Sequence, residues 1–239
     1  MKTRLTTPAL FVLTACATGS PVGSRSLLET AAMRPFSPPA APRALPFAAA
    51  SERVFLSAAD RERAVKVAQG LVGKKEVLVA GRRFPNDCTG LISALYEPLG
   101  LRLMQGGKPG ENGVSSMYRY LQRHGTLYTD ARPRPGDLVF FDETYDVNRD
   151  GRRNDGLTHV GLVEATDASG TVTVIHRTGQ GVVRYQMNLN QRNTHRGANG
   201  RVLNDYLRSP SGGSKPALTS QLFMSFGTLD EAPSSFAQR

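Results

Sequence analysis

The spacing of apolar residues changes once along the chain, and this change constrains the fold more than any other feature. Apolar residues recur every three or four positions between residues 57 and 123, which is the period of a helix. Between residues 137 and 185, short β-branched and aromatic runs alternate with Gly, Asp and Asn. We therefore predict an α+β domain in which N-terminal helices pack on a central antiparallel sheet.

Three helices are predicted from apolar stripes and their flanking residues. The first begins after Ser57, where Asp60 follows three residues later in the pattern of a capping box. The second covers residues 88–97, because Pro98 cannot continue it. The third covers residues 114–123. The strands that follow are predicted at residues 137–141, 159–163, 171–175 and 182–185, and the apolar run 222–227 fits either a strand or a helix.

The chain of 239 residues is long enough for one substantial domain with tails. Residues 16–55 are rich in Ala, Pro, Ser and Arg and show no sustained apolar period, so we expect a disordered tether there. The folded domain is expected over residues 56–208. Residues 209–239 are expected to form a partly ordered C-terminal extension.

The first 15 residues have the three-part layout of a secretory signal, with Lys2 and Arg4 before a short apolar segment. That segment is shorter than the roughly 20 residues of a membrane span, so we expect it to be cleaved. The Leu-Thr-Ala-Cys sequence ending at Cys16 resembles the bacterial lipobox. The resemblance implies an exported bacterial lipoprotein, held at a membrane of the periplasm or cell envelope by lipidation of Cys16. An ordinary signal peptide is the alternative.

Lys and Arg outnumber Asp and Glu by 30 to 20, which gives a formal net charge of +10. Such a balance favours an anionic partner, whether nucleic acid, an acidic membrane or an acidic polymer. The arginines are spread without a dense cluster, and an exported protein meets wall polymer first. We therefore expect a monomer that contacts peptidoglycan and does not bind nucleic acid.

Cys88 is the second of two cysteines and follows the helix-capping residues Asn86 and Asp87. A thiol in the first turn of a helix has its pKa lowered by the helix dipole, so we expect a reactive thiolate. Backbone N–H groups at Asp87 and Cys88 would stabilise an oxyanion there. The alternative for a lone cysteine is a small buried apolar residue.

Two histidines are placed to assist this cysteine. His159 and His176 lie at the beginning and the end of neighbouring predicted strands. A sheet can therefore bring one of them to Cys88 and the other behind it, in the chain order nucleophile, base and orienting group.

Four motifs together resemble the NlpC family of cell-wall cysteine peptidases. DCTGLI at residues 87–92, followed by Tyr96, is similar to that family's Asp-Cys-Ser-Gly-Leu-Val-x-x-x-Tyr motif. PGDLVFF at 135–141 and THVGLV at 158–163 resemble its next two strands. VIH at 174–176, with the turn that follows it, resembles a further strand that carries a polar third residue.

The resemblance implies a papain-like fold in which Cys88 is the nucleophile, His159 the base and His176 the orienting group. It implies hydrolysis of a peptide bond in the peptidoglycan stem peptide through an acyl-enzyme, commonly the bond from D-glutamate to a diamino acid, without a required cofactor. Family members often carry a Tyr and a Gly-Gly pair before the cysteine, where residues 77–84 here read VLVAGRRF. The bond that is cleaved therefore stays open.

Two other functions fit the same residues. One is a catalytically silent lipoprotein that binds or scaffolds peptidoglycan, and the other is an amidase like those of the related CHAP group. The CHAP cysteine motif lacks the Asp-Cys-Thr-Gly pattern. The intact set of Cys88, His159 and His176 favours an enzyme.

The segment before His159 resembles the start of an EF-hand calcium loop. Oxygen-bearing side chains stand at its first, third and fifth positions: Asp146, Asn148 and Asp150. Gly151 follows at position six, but position twelve lacks the usual Glu, for which Asp155 is the substitute. We predict a structural Ca²⁺ held by the four Asp and Asn side chains, with a solvated turn as the alternative.

Overall fold

A computed structural model describes residues 55–130, 132–209 and 215–230. The predicted signal segment, Cys16 and most of the tether lie outside these residues. The helices in the described part are α1 (Ala58–Leu71), α2 (Cys88–Tyr96) and α3 (Gly113–His124). Its strands are β1 (Leu78–Val79), β2 (Arg82–Arg83), β3 (Thr126–Tyr128), β4 (Leu138–Asp142), β5 (Leu157–Thr166), β6 (Thr171–Thr178), β7 (Gly181–Asn188), β8 (Tyr206–Arg208), β9 (Ala217–Leu218) and β10 (Phe223–Thr228).

A six-stranded antiparallel sheet forms the centre of the fold, in the order β3-β10-β4-β5-β6-β7. The pairs β1–β2 and β8–β9 form two small sheets beside it. This arrangement confirms the α+β class and the central antiparallel sheet. The three helices begin within one residue of their predicted starts. All four predicted strands are present: β5, β6 and β7 are longer than predicted, and β4 has the predicted length, shifted by one residue.

The last strand corrects the predicted boundary at residue 208. β10 lies between β3 and β4 in the central sheet, so the segment 209–239 contributes a strand to the middle of the fold. The sequence separated this segment because a long connection without apolar period precedes it. Pairing on both edges with strands that are distant along the chain decides its place.

The sheet is buried on both faces. In β4, Leu138 and Phe140 belong to the apolar cluster that contains the helices, whereas Val139 and Phe141 belong to a cluster on the opposite face. Successive side chains of a strand point to opposite faces, so β4 reads as a continuous apolar run. The second face is covered in part by the β8–β9 pair, from which Ala217 enters the cluster.

Buried polar contacts fix the helices to the sheet. The capping box of α1 is confirmed, since Ser57 Oγ accepts from the Asp60 backbone N–H at 3.2 Å and the Asp60 carboxylate accepts from the Ser57 N–H. Arg61 of α1 donates to Asp137 Oδ1 at 2.6 and 2.8 Å. Tyr96 of α2 donates to the carbonyl of Gly136 at 2.8 Å. The Pro-Gly-Asp segment therefore anchors both helices at the start of β4.

Within the described ranges, no helix is both long enough and apolar enough to cross a membrane.

Candidate active site

Cys88 is the first residue of α2, and the turn before it is held tightly. Asp87 is the N-cap, with Oδ1 accepting from the Gly90 backbone N–H at 2.7 Å and from Thr89 Oγ1 at 2.8 Å. A Cβ at Gly90 would stand 2.0 Å from the carbonyl oxygen of Pro85. The glycine of the Asp-Cys-Thr-Gly sequence is therefore required for the helix to approach the preceding turn.

The small β1–β2 sheet supports the same turn. Asn86 Oδ1 accepts from the backbone N–H of Val77 at 3.0 Å, directly before β1. This segment is where the sequence departs from the NlpC pattern, and it places no tyrosine beside Cys88.

The central sheet opens where the cysteine meets it. β5 pairs with β6 only from Leu162, opposite Ile175, onward, whereas its earlier residues pair with β4 among the described strands. The backbone N–H of Val160, in the stretch of β5 that pairs with β4 but not with β6, acts to lower the pKa of the Cys88 thiol. The gap between β5 and β6 therefore brings the start of α2 next to His159.

His159 and His176 are brought together across the same gap. His159 Nε2 lies 2.8 Å from His176 Nδ1, and the two rings meet edge to face. A Cβ at Gly161 would stand 3.2 Å from the Cβ of His176 and 2.6 Å from Val174 Cγ1. The glycine of the His-Val-Gly sequence thus provides the space in which His176 packs.

An open cleft of about 330 Å³ lies over these residues. Cys88 and His159 both line it, together with residues from the cysteine turn, the loop after β4, the start of β5, the end of β6 with its following turn, and β8. These are Asn86, Asp87, Thr144, Tyr145, Thr158, Arg177, Thr178, Gly179 and Leu207. The sequence analysis did not find Tyr145 or Arg177, because neither belongs to a motif.

Burial, and not the helix dipole, has the largest effect on the pKa of the Cys88 thiol. It raises the pKa of Cys88 to about 11, the nearby Asp87 charge acts in the same direction, and the backbone hydrogen bonds from Val160 and Thr89 only partly oppose it. The expectation of a lowered pKa was therefore wrong. A helix N-terminus favours the thiolate, but packing of α2 against the sheet removes the water that would solvate it.

Burial also acts on the two imidazoles. It lowers the pKa of His159 to about 4, and it lowers the pKa of His176 well below the usual value with a further contribution from His159. Thiol and imidazole are therefore both neutral near pH 7 in the free protein.

The hydrogen bond between the imidazoles limits their tautomers. With Nε2 of His159 directed to His176, its Nδ1 is the nitrogen left for the cleft. If Nδ1 of His159 is the free base, its Nε2 carries the proton and donates a hydrogen bond to His176 Nδ1. His176 then carries its own proton on Nε2, which is buried without a hydrogen-bond partner in the described part. The ring centroids of His176 and Tyr185 lie 4.4 Å apart.

The predicted calcium loop is closed by its own hydrogen bonds. Asp146 Oδ2 accepts from the Gly151 backbone N–H at 2.8 Å, and Gly151 has φ +75°, as the sharp turn of such a loop requires. Asn148 and Asp150 accept from backbone N–H groups within the loop. Asp155 keeps a buried carboxylate oxygen without a partner. No group of three or more His, Cys, Asp or Glu side chains suited to a metal occurs among the described residues, and Ca²⁺ binding stays a prediction.

One protein family model matches the part of the chain that contains this site. Residues 80–178 match the family model of the CHAP domain, the cysteine/histidine-dependent amidohydrolase/peptidase, and the matched range contains Cys88, His159 and His176. The match supports a hydrolase of the group that the sequence analysis kept as an alternative. The NlpC resemblance, the lipobox and the catalytic roles of the three residues stay predictions.

Two solved structures resemble part of the chain. One, "The crystal structure of Ly7917", has 16% identity and a TM-score of 0.35 over 53% of this chain and 55% of that one. The other, "The crystal structure of Ly7917 with the hydrolyzing product of MDP", has 15% identity and a TM-score of 0.38 over 72% and 79%. The chain thus spans about half the length of the first. A search of curated proteins gave no significant match.

Proposed function

We propose that the protein is a peptidoglycan hydrolase that cleaves an amide bond through an acyl-enzyme on Cys88. The observation that carries the proposal is the shared cleft of Cys88 and His159, with His159 hydrogen-bonded to His176 at 2.8 Å. These residue types can serve as a nucleophile, a base and an orienting group. The CHAP-domain match over residues 80–178 supports the same reaction class.

The first step of the reaction starts from a neutral Cys88 thiol and a neutral His159 imidazole. Because the thiol has a raised pKa and His159 a lowered one, the proton passes from Sγ to His159 Nδ1 as Sγ attacks the substrate carbonyl. The oxyanion that forms is stabilised by backbone N–H groups at the start of α2, including that of Cys88. The carbonyl carbon is then bonded to sulfur.

The intermediate collapses when the C–N bond breaks. His159, now an imidazolium, gives its proton to the leaving amine, which departs and leaves a thioester on Cys88. A water molecule then attacks the thioester while His159 accepts its proton. The carboxylic acid product is released, and the proton returns to the thiol.

The stem-peptide bond from D-glutamate to a diamino acid is the first candidate, from the NlpC-like motifs. The second candidate is the amide that joins the stem peptide to the glycan, because the CHAP-domain match covers the site. Both bonds are amides with a free carboxylate close by in the substrate. The same acyl-enzyme chemistry serves either one.

The test is mass spectrometry of purified peptidoglycan after incubation with the wild-type protein or with Cys88→Ala. We expect new fragments only with the wild type, and the new amino terminus identifies which of the two bonds is cut. If several wall types remain uncut while both proteins still bind them, the hydrolase is excluded. The silent wall-binding lipoprotein would then be the better account.

We further propose that lipidation of Cys16 holds the enzyme at a membrane of the cell envelope. The support is the lipobox-like sequence after a basic and apolar start. Acyl chains stabilise membrane attachment by about 0.8 kcal/mol for each buried CH₂ group. Labelled fatty acid should enter the wild-type protein and not Cys16→Ser. Equal labelling of both would contradict the anchor.

A further inference from the structure

A second pocket adjoins the cleft of Cys88 and carries an excess of positive charge. We name it the arginine pocket. Its volume is about 330 Å³, and Tyr145 lines both it and the cleft. Its cationic lining residues are Arg152, Arg153, Arg208 and Lys215, and its acidic ones are Glu143 and Asp146.

Arg208 at the end of β8 is a nearly buried cation that forms no direct ion pair within the described ranges. The residue is 9% exposed, and its guanidinium donates to the carbonyl of Lys215 at 3.0 Å and to the carbonyl of Glu143. Burial lowers the pKa of Arg208, the nearby Arg153 charge lowers it further, and the charge of Glu143 only partly opposes them. A buried charge that contacts only neutral groups is unfavourable until an opposite charge joins it.

Each of the two carboxylates of the pocket has one oxygen engaged by the loop itself, while Asp146 Oδ1 is buried without a partner in the described part. Glu143 Oε1 accepts from the backbone N–H of Gly156 at 3.0 Å. Asp146 Oδ2 accepts from the N–H of Gly151. Arg152 and Arg153 are exposed and form no ion pair with any carboxylate in the described ranges. Two acids against four cations leave the pocket positive.

Tyr145 lines both the arginine pocket and the cleft that contains Cys88. Its side chain is 57% exposed. Tyr145 and Cys88 line the same cleft, so the tyrosine stands on the side of the cleft from which the arginine pocket opens. A ligand with an amide at Cys88 that extends past Tyr145 therefore enters the arginine pocket.

We propose that the arginine pocket binds a free carboxylate of the same peptide whose amide bond lies at Cys88. The inference rests on the proposed function and adds the group by which the substrate is recognised. A planar guanidinium matches a carboxylate in a bidentate hydrogen-bonded pair. Stem peptides carry free carboxylates next to their amide bonds, whereas most peptides of other origin carry one only at the end or on acidic side chains.

The experiment measures binding to the full chain carrying Cys88→Ala, which cannot turn over. Calorimetry compares a stem peptide with analogues in which each free carboxylate in turn is a carboxamide. We expect one carboxamide to weaken binding by about tenfold or more, as for a lost charge-assisted pair. If every carboxamide binds as well as the parent peptide, the inference is overturned.

The variants locate the effect in the pocket. Adding Arg152→Gln and Arg153→Gln should weaken binding of the parent peptide by about tenfold. Binding of the carboxamide analogue that has already lost affinity should stay nearly unchanged. Arg149→Gln is the control for each single substitution, since it removes one positive charge from the same exposed loop outside the pocket lining. Equal losses in control and double variant would point to general charge and contradict the proposal.

Kinetics separate this proposal from the function on which it rests. In the catalytic wild-type background, Arg152→Gln with Arg153→Gln should raise KM with kcat within about twofold, as for an interaction equally strong in ground and transition states. If the wild type cuts no peptidoglycan, the proposed hydrolase function is excluded. The calorimetry still tests whether the arginine pocket binds a carboxylate. If inorganic phosphate competes with the peptide while every carboxamide analogue binds as well as the parent, the arginine pocket is a phosphate site. That result would overturn the proposed carboxylate site.

Discussion

The two walls of the cleft are built from opposite kinds of structure. On one wall, His159 and His176 lie on sheet strands among apolar neighbours, and His176 is only 1% exposed. On the other wall, the loop after β4 is exposed and closed mainly by hydrogen bonds among its own residues. Burial fixes the first wall, and local polar contacts fix the second.

The difference separates chemistry from recognition. Groups on the histidine wall have displaced pKa values because they are removed from water. Charges on the loop wall stay solvated and can meet a ligand. Substitutions on the histidine wall should therefore change kcat, whereas those on the loop wall should change KM.

The largest effect is expected at the base. His159→Gln should lower kcat by about 10²- to 10⁴-fold, because no group then accepts the thiol proton. His124→Gln is the matched control, since His124 is exposed at the end of α3 and lies outside the cleft. Peptidoglycan turnover by both variants checks this, and a similar loss in the control would show general damage.

Gly161→Ala tests whether packing of the histidine wall controls the rate. The new Cβ would press on Val174 Cγ1 and on His176, so we expect a loss of about 1–3 kcal/mol of folding free energy by overpacking. Displacement of the imidazole pair should also lower kcat by about tenfold or more. Thermal unfolding and turnover measure the two effects.

Gly70→Ala serves as the control for that change. A Cβ at Gly70 in α1 meets nothing within 4 Å, so alanine should stabilise the helix by about 0.5–1 kcal/mol. If Gly161→Ala behaved like Gly70→Ala, the proposed packing of His176 would be incorrect.

The pH dependence of the thiol tests the neutral pair. With a pKa of about 11, Cys88 in the folded protein should react with iodoacetamide ever faster as the pH rises, by about tenfold for each unit through the neutral range. Full-length Cys16→Ser leaves one thiol to follow by mass spectrometry. A rate already level between about pH 5 and 8, and lost in His159→Gln, would reveal a thiolate–imidazolium pair instead.

The acid limb of activity should follow His159. Its folded pKa is lowered to about 4, so the base stays neutral on acidification through the ordinary range near 6.5. Activity should therefore persist below that range and fall only as the pH approaches the lowered value. An acid limb of kcat/KM near 6.5 would contradict a desolvated base.

The smallest effect is expected from calcium on the loop wall. Ca²⁺ should bind the full chain and raise its unfolding temperature slightly, because binding to the folded loop alone shifts the equilibrium. Asp146→Asn with Asp155→Asn should abolish the heat of binding, whereas Asp130→Asn, exposed and outside the loop, should not. If no heat of binding is measured at millimolar Ca²⁺, the loop is a solvated turn that does not bind the ion.

The motifs and the change of period determined much of the fold from the sequence alone. Helix starts are local events, so Ser57 and Asp87 with their capping partners were readable in a few letters. Alternation and β-branched runs identified the four long strands. The short β1–β2 and β8–β9 pairs and β3 escaped, because two or three residues do not establish a period.

Tertiary structure alone decided three things. It inserted β10 between β3 and β4, since strand pairing joins residues far apart in sequence. It opened β5 from β6, which brings His159 and His176 to 2.8 Å. It also partly buried the thiol, and so reversed the expected direction of its pKa, because desolvation depends on what packs around a residue and not on its neighbours in the chain.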